Sequence, residues 1–169
     1  MPVRTIVSIW PLFAGLSLIG LAIGVQGSLL GVRAELEGFE DYLIGLLMSC
    51  YFAGFLAGSL LTPKMIQRVG HIRIFAALSA VASVTILIHA IYVEPWAWAL
   101  MRLLTGFAFS TIYVVSESWL NQASTNTNRG QILSIYTAIL LAGICAGQFM
   151  LNLANPREFT LFILISVMV

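Results

Sequence analysis

The chain has 169 residues, of which 60% are hydrophobic and 9% charged, with a formal net charge of +1. A soluble domain carries about 25% charged residues, and helices apolar all round need lipid or a large core, so the composition excludes an ordinary soluble bundle. With no basic tail and no interleaving of basic and aromatic residues, it also excludes a nucleic-acid partner.

Residues 5–32 contain no Asp, Glu, Lys or Arg. The run is well beyond a 7–15-residue signal-peptide core and no A-x-A site follows it, so it reads as a first membrane helix. Residues 42–63, 74–93 and 130–156 are equally free of charge, and residues 96–122 carry only Arg102 and Glu117. Each stretch supplies the roughly 20 helical residues that cross a hydrocarbon core about 30 Å thick. Residues 159–169 open a sixth run that is too short to span. The expected spans are 6–31, 42–63, 74–93, 96–120 and 130–155, with 159–169 incomplete. The connections are short, which predicts that consecutive helices are antiparallel neighbours. Cys50 and Cys145 fall inside spans and read as small packing residues. No metal-ligand spacing, cofactor motif, phosphate loop, nucleophilic triad or carboxylate pair appears, so nothing points to an enzyme.

Loop charge sets the expected orientation, because Lys and Arg collect on the cytoplasmic side of short loops. With the N-terminus inside, that side holds Arg4, Lys64, Arg68, Arg73 and Arg129, against Arg33 and Arg157 outside. The outer side also carries Glu35, Glu37, Glu40, Asp41, Glu94 and Glu158. Trp10, Trp96, Trp98 and Trp119 sit near span ends, where amphipathic rings prefer the interface.

A short repeat crosses the chain. Ala53-Gly54-Phe55-Leu56-Ala57-Gly58 in the second span and Ala142-Gly143-Ile144-Cys145-Ala146-Gly147 in the fifth both read A-G-x-x-A-G, 89 residues apart. Glycines at i and i+4 strip one helix face and let a neighbouring backbone approach. One reading is two independent packing faces. The other is an inverted repeat of three helices plus three, since the two spans run in opposite directions.

The segment from Pro63 to Arg73 resembles the cytoplasmic loop signature of the major facilitator superfamily, G-x-x-x-D-R-x-G-R-R. Arg68, Gly70 and Arg73 match, whereas Pro63, Gln67 and His71 depart from it. Gly70 also suits a tight turn that needs positive φ. Arg102-Leu103-Leu104-Thr105-Gly106 resembles the superfamily's R-x-x-Q-G, with Thr105 for Gln. Glu117-Ser118-Trp119-Leu120-Asn121, followed by Asn128-Arg129-Gly130, resembles one bacterial branch, the YcaD-like transporters. Gly143-x-x-x-Gly147-Gln148 lacks the proline of the family's antiporter signature. The resemblance covers the whole chain and implies the N-terminal half of a transporter of about twelve helices. It implies an all-α polytopic membrane bundle with its sixth helix truncated, and a missing C-terminal six-helix half as partner.

The polar residues inside the spans are the site candidates. Arg102 lies about six residues into the fourth span, about 9 Å deep at 1.5 Å per residue. It reads as a ligand for an anionic solute or a proton site, or as a side chain snorkelling to the interface. Glu117, about 22 Å further along that helix, falls at the cytoplasmic end. The family resemblance supports a gate latch there, formed with Arg68, Gly70, Arg73 and Arg129. Gln26, between Gly24 and Gly27, reads as a cavity residue or as an interhelical hydrogen-bonder. Tyr113 and Tyr136 are cavity candidates by residue type, and His89 reads as an interfacial histidine. Gly54, Gly58, Gly143 and Gly147 are the packing positions. The expected function is secondary active transport of a small solute across the bacterial inner membrane by alternating access, with a proton as the simplest coupling ion. The alternative is a membrane scaffold or assembly subunit working through its glycine faces.

Overall fold

The structure, a computed structural model, describes the backbone of residues 3–169 and the side chains of residues 10–169. Arg4, counted above on the basic side, has its side chain outside the described residues. Five long helices and one short one account for nearly all of the described chain: α1 (Val3–Leu36), α2 (Asp41–Val69), α3 (His71–Ile91), α4 (Pro95–Ala123), α5 (Arg129–Met150) and α6 (Thr160–Met168), with a 3₁₀ turn at Leu151–Leu153. Helices α1 to α5 are each long and apolar enough to cross a membrane.

Two boundaries differ from the sequence expectation. α2 runs through Pro63 to Val69, well past residue 63. Proline removes one helical hydrogen bond but keeps a helical φ, and membrane helices accommodate that loss. The signature segment is therefore mostly helix, and the turn itself is one residue, Gly70, with φ +88°. Its N–H still closes α2 by donating to the Ile66 carbonyl at 2.9 Å. At the other end of the chain, α5 stops at Met150, short of residue 155. Pro156 disfavours a helical Asn155, and the Asn155 side chain accepts from the Arg157 N–H at 3.0 Å to form a turn instead.

Packing does not follow chain order. The two most extensive interfaces are α2 with α4 and α1 with α5, followed by α3 with α4. The consecutive pairs α1–α2, α2–α3 and α4–α5 touch little. Missing side chains explain this correction. A Cβ built on Gly54 would lie 1.9 Å from the Leu103 carbonyl oxygen, and one on Gly106 would lie 2.0 Å from that of Tyr51. These helices meet backbone to backbone, which maximises dispersion in a solvent that offers no hydrophobic drive.

The α1–α5 interface repeats the α2–α4 interface contact by contact. Gly54 meets Leu103 O and Gly58 meets Phe107 O, while Gly143 meets Ser17 O and Gly147 meets Leu21 O. Gly106 meets Tyr51 O as Gly20 meets Leu140 O. Adding 89 to an α2 number gives its α5 counterpart, and adding 86 to an α1 number gives its α4 counterpart. This is the pattern of an inverted three-plus-three repeat rather than of two unrelated packing faces.

α4 is the most buried span. Its polar side chains reach its neighbours: Thr105 pairs with Thr85 of α3 at 3.0 Å, and Thr111 with Thr62 of α2 at 2.9 Å. The α1–α2, α3–α4 and α5–α6 connections share the acid-rich end of the bundle. There Arg33 donates to the Pro156 carbonyl at 3.1 Å and pairs with Glu37 at 2.7 Å, the one ion pair among the described residues. Trp98 packs inside the bundle. It is fully buried, donates to the Tyr92 carbonyl at 3.0 Å and meets Phe39 edge-on. Trp10 and Trp96 are exposed. Cys50 is half-buried, whereas Cys145 lies exposed on α5 rather than in a packed seam. At the basic end, α1, α3 and α4 leave an apolar groove of about 500 Å³, bounded by Pro11, Gly15, Ile72, Phe75 and Trp119.

Candidate functional site

Arg102 projects from the first two turns of α4 and is 6% exposed. Its guanidinium carbon lies 4.5 Å from the centroid of the Tyr51 ring, and Nη2 contacts the Met48 sulfur at 3.5 Å. Both partners belong to α2. Nε has no acceptor. The side chain thus lies on α2 and does not extend to the rim.

Gln26 of α1 faces the same space. It is 2% exposed, and its Nε2 donates to nothing. A pocket of about 310 Å³ separates the two side chains, walled by Ile23, Met48, Tyr51, Phe52 and Phe109. Two of the four sequence candidates, one from α1 and one from α4, therefore meet across a single cavity. Their positions agree in depth: each lies about two to three turns from the acid-rich end of its own helix.

Tyr113 and Tyr136 lie elsewhere. Tyr113 of α4 packs at a tilt against Phe55 of α2, with ring centroids 5.9 Å apart. Tyr136 of α5 is buried beside the Glu117 carboxyl. Together they form an aromatic path from the Arg102 pocket toward the basic end, through Tyr51 and Phe55 at 6.1 Å.

At the basic end Glu117, Arg68, Arg73 and Arg129 are all exposed, and no ion pair joins Glu117 to these arginines. The contact between the α2–α3 turn and α4 is made by His71, whose Nε2 lies 3.0 Å from Ser118 Oγ and 3.4 Å from Gln122 Nε2. Departure from the loop signature at His71 is thus used in this fold. His89 is fully buried: Nδ1 bonds the Thr85 carbonyl at 2.7 Å, the ring meets Trp98 edge-on at 5.3 Å, and Nε2 is unpartnered.

Sequence reasoning did not single out Tyr51 and Met48. The signal was present: 48, 51, 54 and 58 form one helical stripe on α2, and the glycines on that stripe mark the face that meets α4.

Residues 31–161 match the family described as sugar (and other) transporter. The chain belongs to this family of the major facilitator superfamily. It is similar to an uncharacterized MFS-type transporter of Enterobacter sp. (strain 638), with 33% identity over 141 residues, covering 83% of this chain and 37% of the relative. Its similarity to an uncharacterized MFS-type transporter, YcaD, of Escherichia fergusonii has the same extent and identity. An uncharacterized MFS-type transporter of Yersinia enterocolitica is 29% identical over 161 residues, which is 94% of this chain and 41% of that protein. The chain thus spans about two-fifths of the length of these relatives. No solved structure matches. This major facilitator chain is an integral, multi-pass membrane protein with the helices of an N-terminal half, and its family is one of transporters rather than enzymes.

Proposed function

We propose that the complete protein moves a small solute across the bacterial inner membrane by secondary active transport. In this reading the half described here rocks against a C-terminal six-helix half, and the Arg102 pocket is exposed to each side in turn. The N-terminus is cytoplasmic, with the Lys64–Arg73 segment and Arg129 inside. Family membership supports transport, and the observation that carries the site is the buried Arg102 guanidinium facing a cavity. A charge within a membrane helix is costly and is retained where it serves a cavity or a pathway. Arg102 and Gln26 form the solute site, with Tyr113 and Tyr136 on the path from it. Glu117 is the one carboxylate of α4 and lies toward its basic end. It forms a gate with Arg68, Arg73 and Arg129 when the cytoplasmic side closes, and a proton is the simplest coupling ion.

The test is flux. The complete protein, reconstituted in liposomes with a pH gradient and a panel of radiolabelled solutes, should give saturable uptake of at least one solute that collapses with the gradient. Folded protein that binds a solute yet never moves it faster than empty liposomes do would refute transport.

A further inference from the structure

We infer that the Arg102 pocket takes a monovalent organic anion with a compact apolar body, a carboxylate being the plainest example. This names a substrate class for the site proposed above and rests on that transport reading.

Charge comes first. Arg102 is 6% exposed, yet no carboxylate is paired with it, and the one ion pair among the described residues is Arg33–Glu37 at the rim. Buried charges are normally paired, because an isolated one forfeits its hydration. Tyr51 and Met48 are weak substitutes. One offers a ring face at 4.5 Å and the other a thioether at 3.5 Å. A ligand carboxylate would supply what both lack.

Donor count comes second. Arg102 Nε and Gln26 Nε2 are both buried without acceptors, and both residues line the cavity. Two unmet donors call for a group with two acceptor oxygens and no hydrogen of its own to place, which describes an ionised carboxylate. A divalent anion would leave one negative charge unbalanced in a poorly hydrated space.

The walls come third. Apart from Arg102, Gln26 and Tyr51, this chain lines the pocket with Ile23, Gly27, Met48, Phe52 and Phe109. A sugar brings several hydroxyls, and most would find no partner against such walls. An apolar ring or short chain leaves nothing unmet. The part of the cavity that this chain encloses, about 310 Å³, suits a compact body, since ligand cavities run from roughly 300 to 1,000 Å³.

The probes are benzoate, its neutral isostere benzamide, the dianion phthalate, and glucose. They are titrated into the complete protein in nanodiscs, with calorimetry and thermal unfolding as readouts. Benzoate should bind saturably, and each of the others at least about tenfold more weakly. Arg102→Gln should erase the preference for benzoate over benzamide in protein that still elutes as a folded monodisperse species. Because that variant can fail to fold, Met48→Glu provides a second route. It places a carboxylate beside the guanidinium, so it should raise the unfolding temperature and abolish benzoate binding. Equal binding of benzamide, phthalate or glucose, preference surviving Arg102→Gln, unchanged benzoate binding in Met48→Glu, or no benzoate binding to folded wild-type protein would each overturn the inference. Labelled benzoate uptake by proteoliposomes separates the two proposals. Binding without uptake leaves the anion site standing and removes the transport reading, whereas uptake of neutral solutes alone does the reverse.

Discussion

Gly54→Ala is the smallest change that tests the backbone contact between α2 and α4. The new Cβ would lie 1.9 Å from the Leu103 carbonyl oxygen and 2.8 Å from its carbon. An ordinary carbon–oxygen contact is about 3.3 Å, so the helices must part by about 1.4 Å at that point. Both colliding groups are backbone, and no rotamer change relieves them. A gap of 0.5–1 Å already forfeits a quarter to a half of each dispersion contact along the seam. Overpacking of this kind costs about 1–3 kcal/mol. Alanine also gains up to about 1 kcal/mol of helix propensity over glycine, which works the other way. Gly45→Ala cancels that gain, because Gly45 is an exposed residue of the same helix with nothing within 4 Å of a built Cβ. The difference between the two variants should therefore be the steric cost alone. The assay is equilibrium unfolding in mixed detergent micelles as the fraction of dodecyl sulfate rises, followed by tryptophan fluorescence. Adding Gly106→Ala to Gly54→Ala should cost less than the sum, because both wedge one seam. Adding Gly147→Ala should be additive within about 0.5 kcal/mol, because that residue opens the separate α1–α5 seam. If Gly54→Ala unfolds at the same dodecyl sulfate fraction as Gly45→Ala, the backbone-contact account is wrong.

Three further outcomes are expected. In a background with Cys50 and Cys145 replaced by serine, Gly38→Cys should react with an impermeant maleimide added outside cells and Asn126→Cys should not; the reverse pattern inverts the proposed topology. A double-mutant cycle of Thr62→Val and Thr111→Val should give a coupling of about 0.6 kcal/mol and no more than about 1.7, with zero coupling indicating that their 2.9 Å hydrogen bond is absent in the bilayer. Glu117→Gln in the complete protein should keep solute affinity while lengthening the spin-label distance across the basic end, since it removes the one carboxylate available to Arg68 and Arg73 there. Loss of binding with an unmoved gate would assign Glu117 to the solute site instead.

The spans were readable because charge-free runs of bilayer length leave few alternatives, and Gly54, Gly58, Gly143 and Gly147 were readable because two identical hexapeptides marked them. Which helix each glycine faces was not. Short connections suggested neighbours in chain order, but a connection constrains only the helix ends. The whole length of α2 follows the glycine stripe to α4. The expected end of the second span at residue 63 follows from the charge at Lys64, which closes the apolar run but does not end the helix, and the surrounding bundle tolerates the single hydrogen bond that Pro63 removes. Arg102 and Gln26 each stood out as polar residues in apolar text. That they share one cavity depends on α1 and α4 converging on either side of α2's Met48–Tyr51 turn, which no local pattern encodes. His89 and Trp98 are placed by their distance from the span ends, but that their rings pack edge-on and bury each other depends on α3 meeting α4 at that end.

The interleaved packing has a consequence for the order in which the protein is built. α4 finds its principal partners, α2 and α3, already made: Gly54 and Gly58 for its backbone, Thr62 and Thr85 for its hydroxyls. α1 is in the opposite position. Its groove at Gly20 and Gly24 receives Leu140, Gly143 and Ile144 of a helix that has not yet been synthesised when α1 enters the membrane. Gly24 and Gly147 are 123 residues apart, and at 5–20 residues per second the ribosome needs roughly 6–25 s to cover that interval. Throughout that time α1 keeps its glycine face without its partner, while α2, α3 and α4 close their own seams ahead of it.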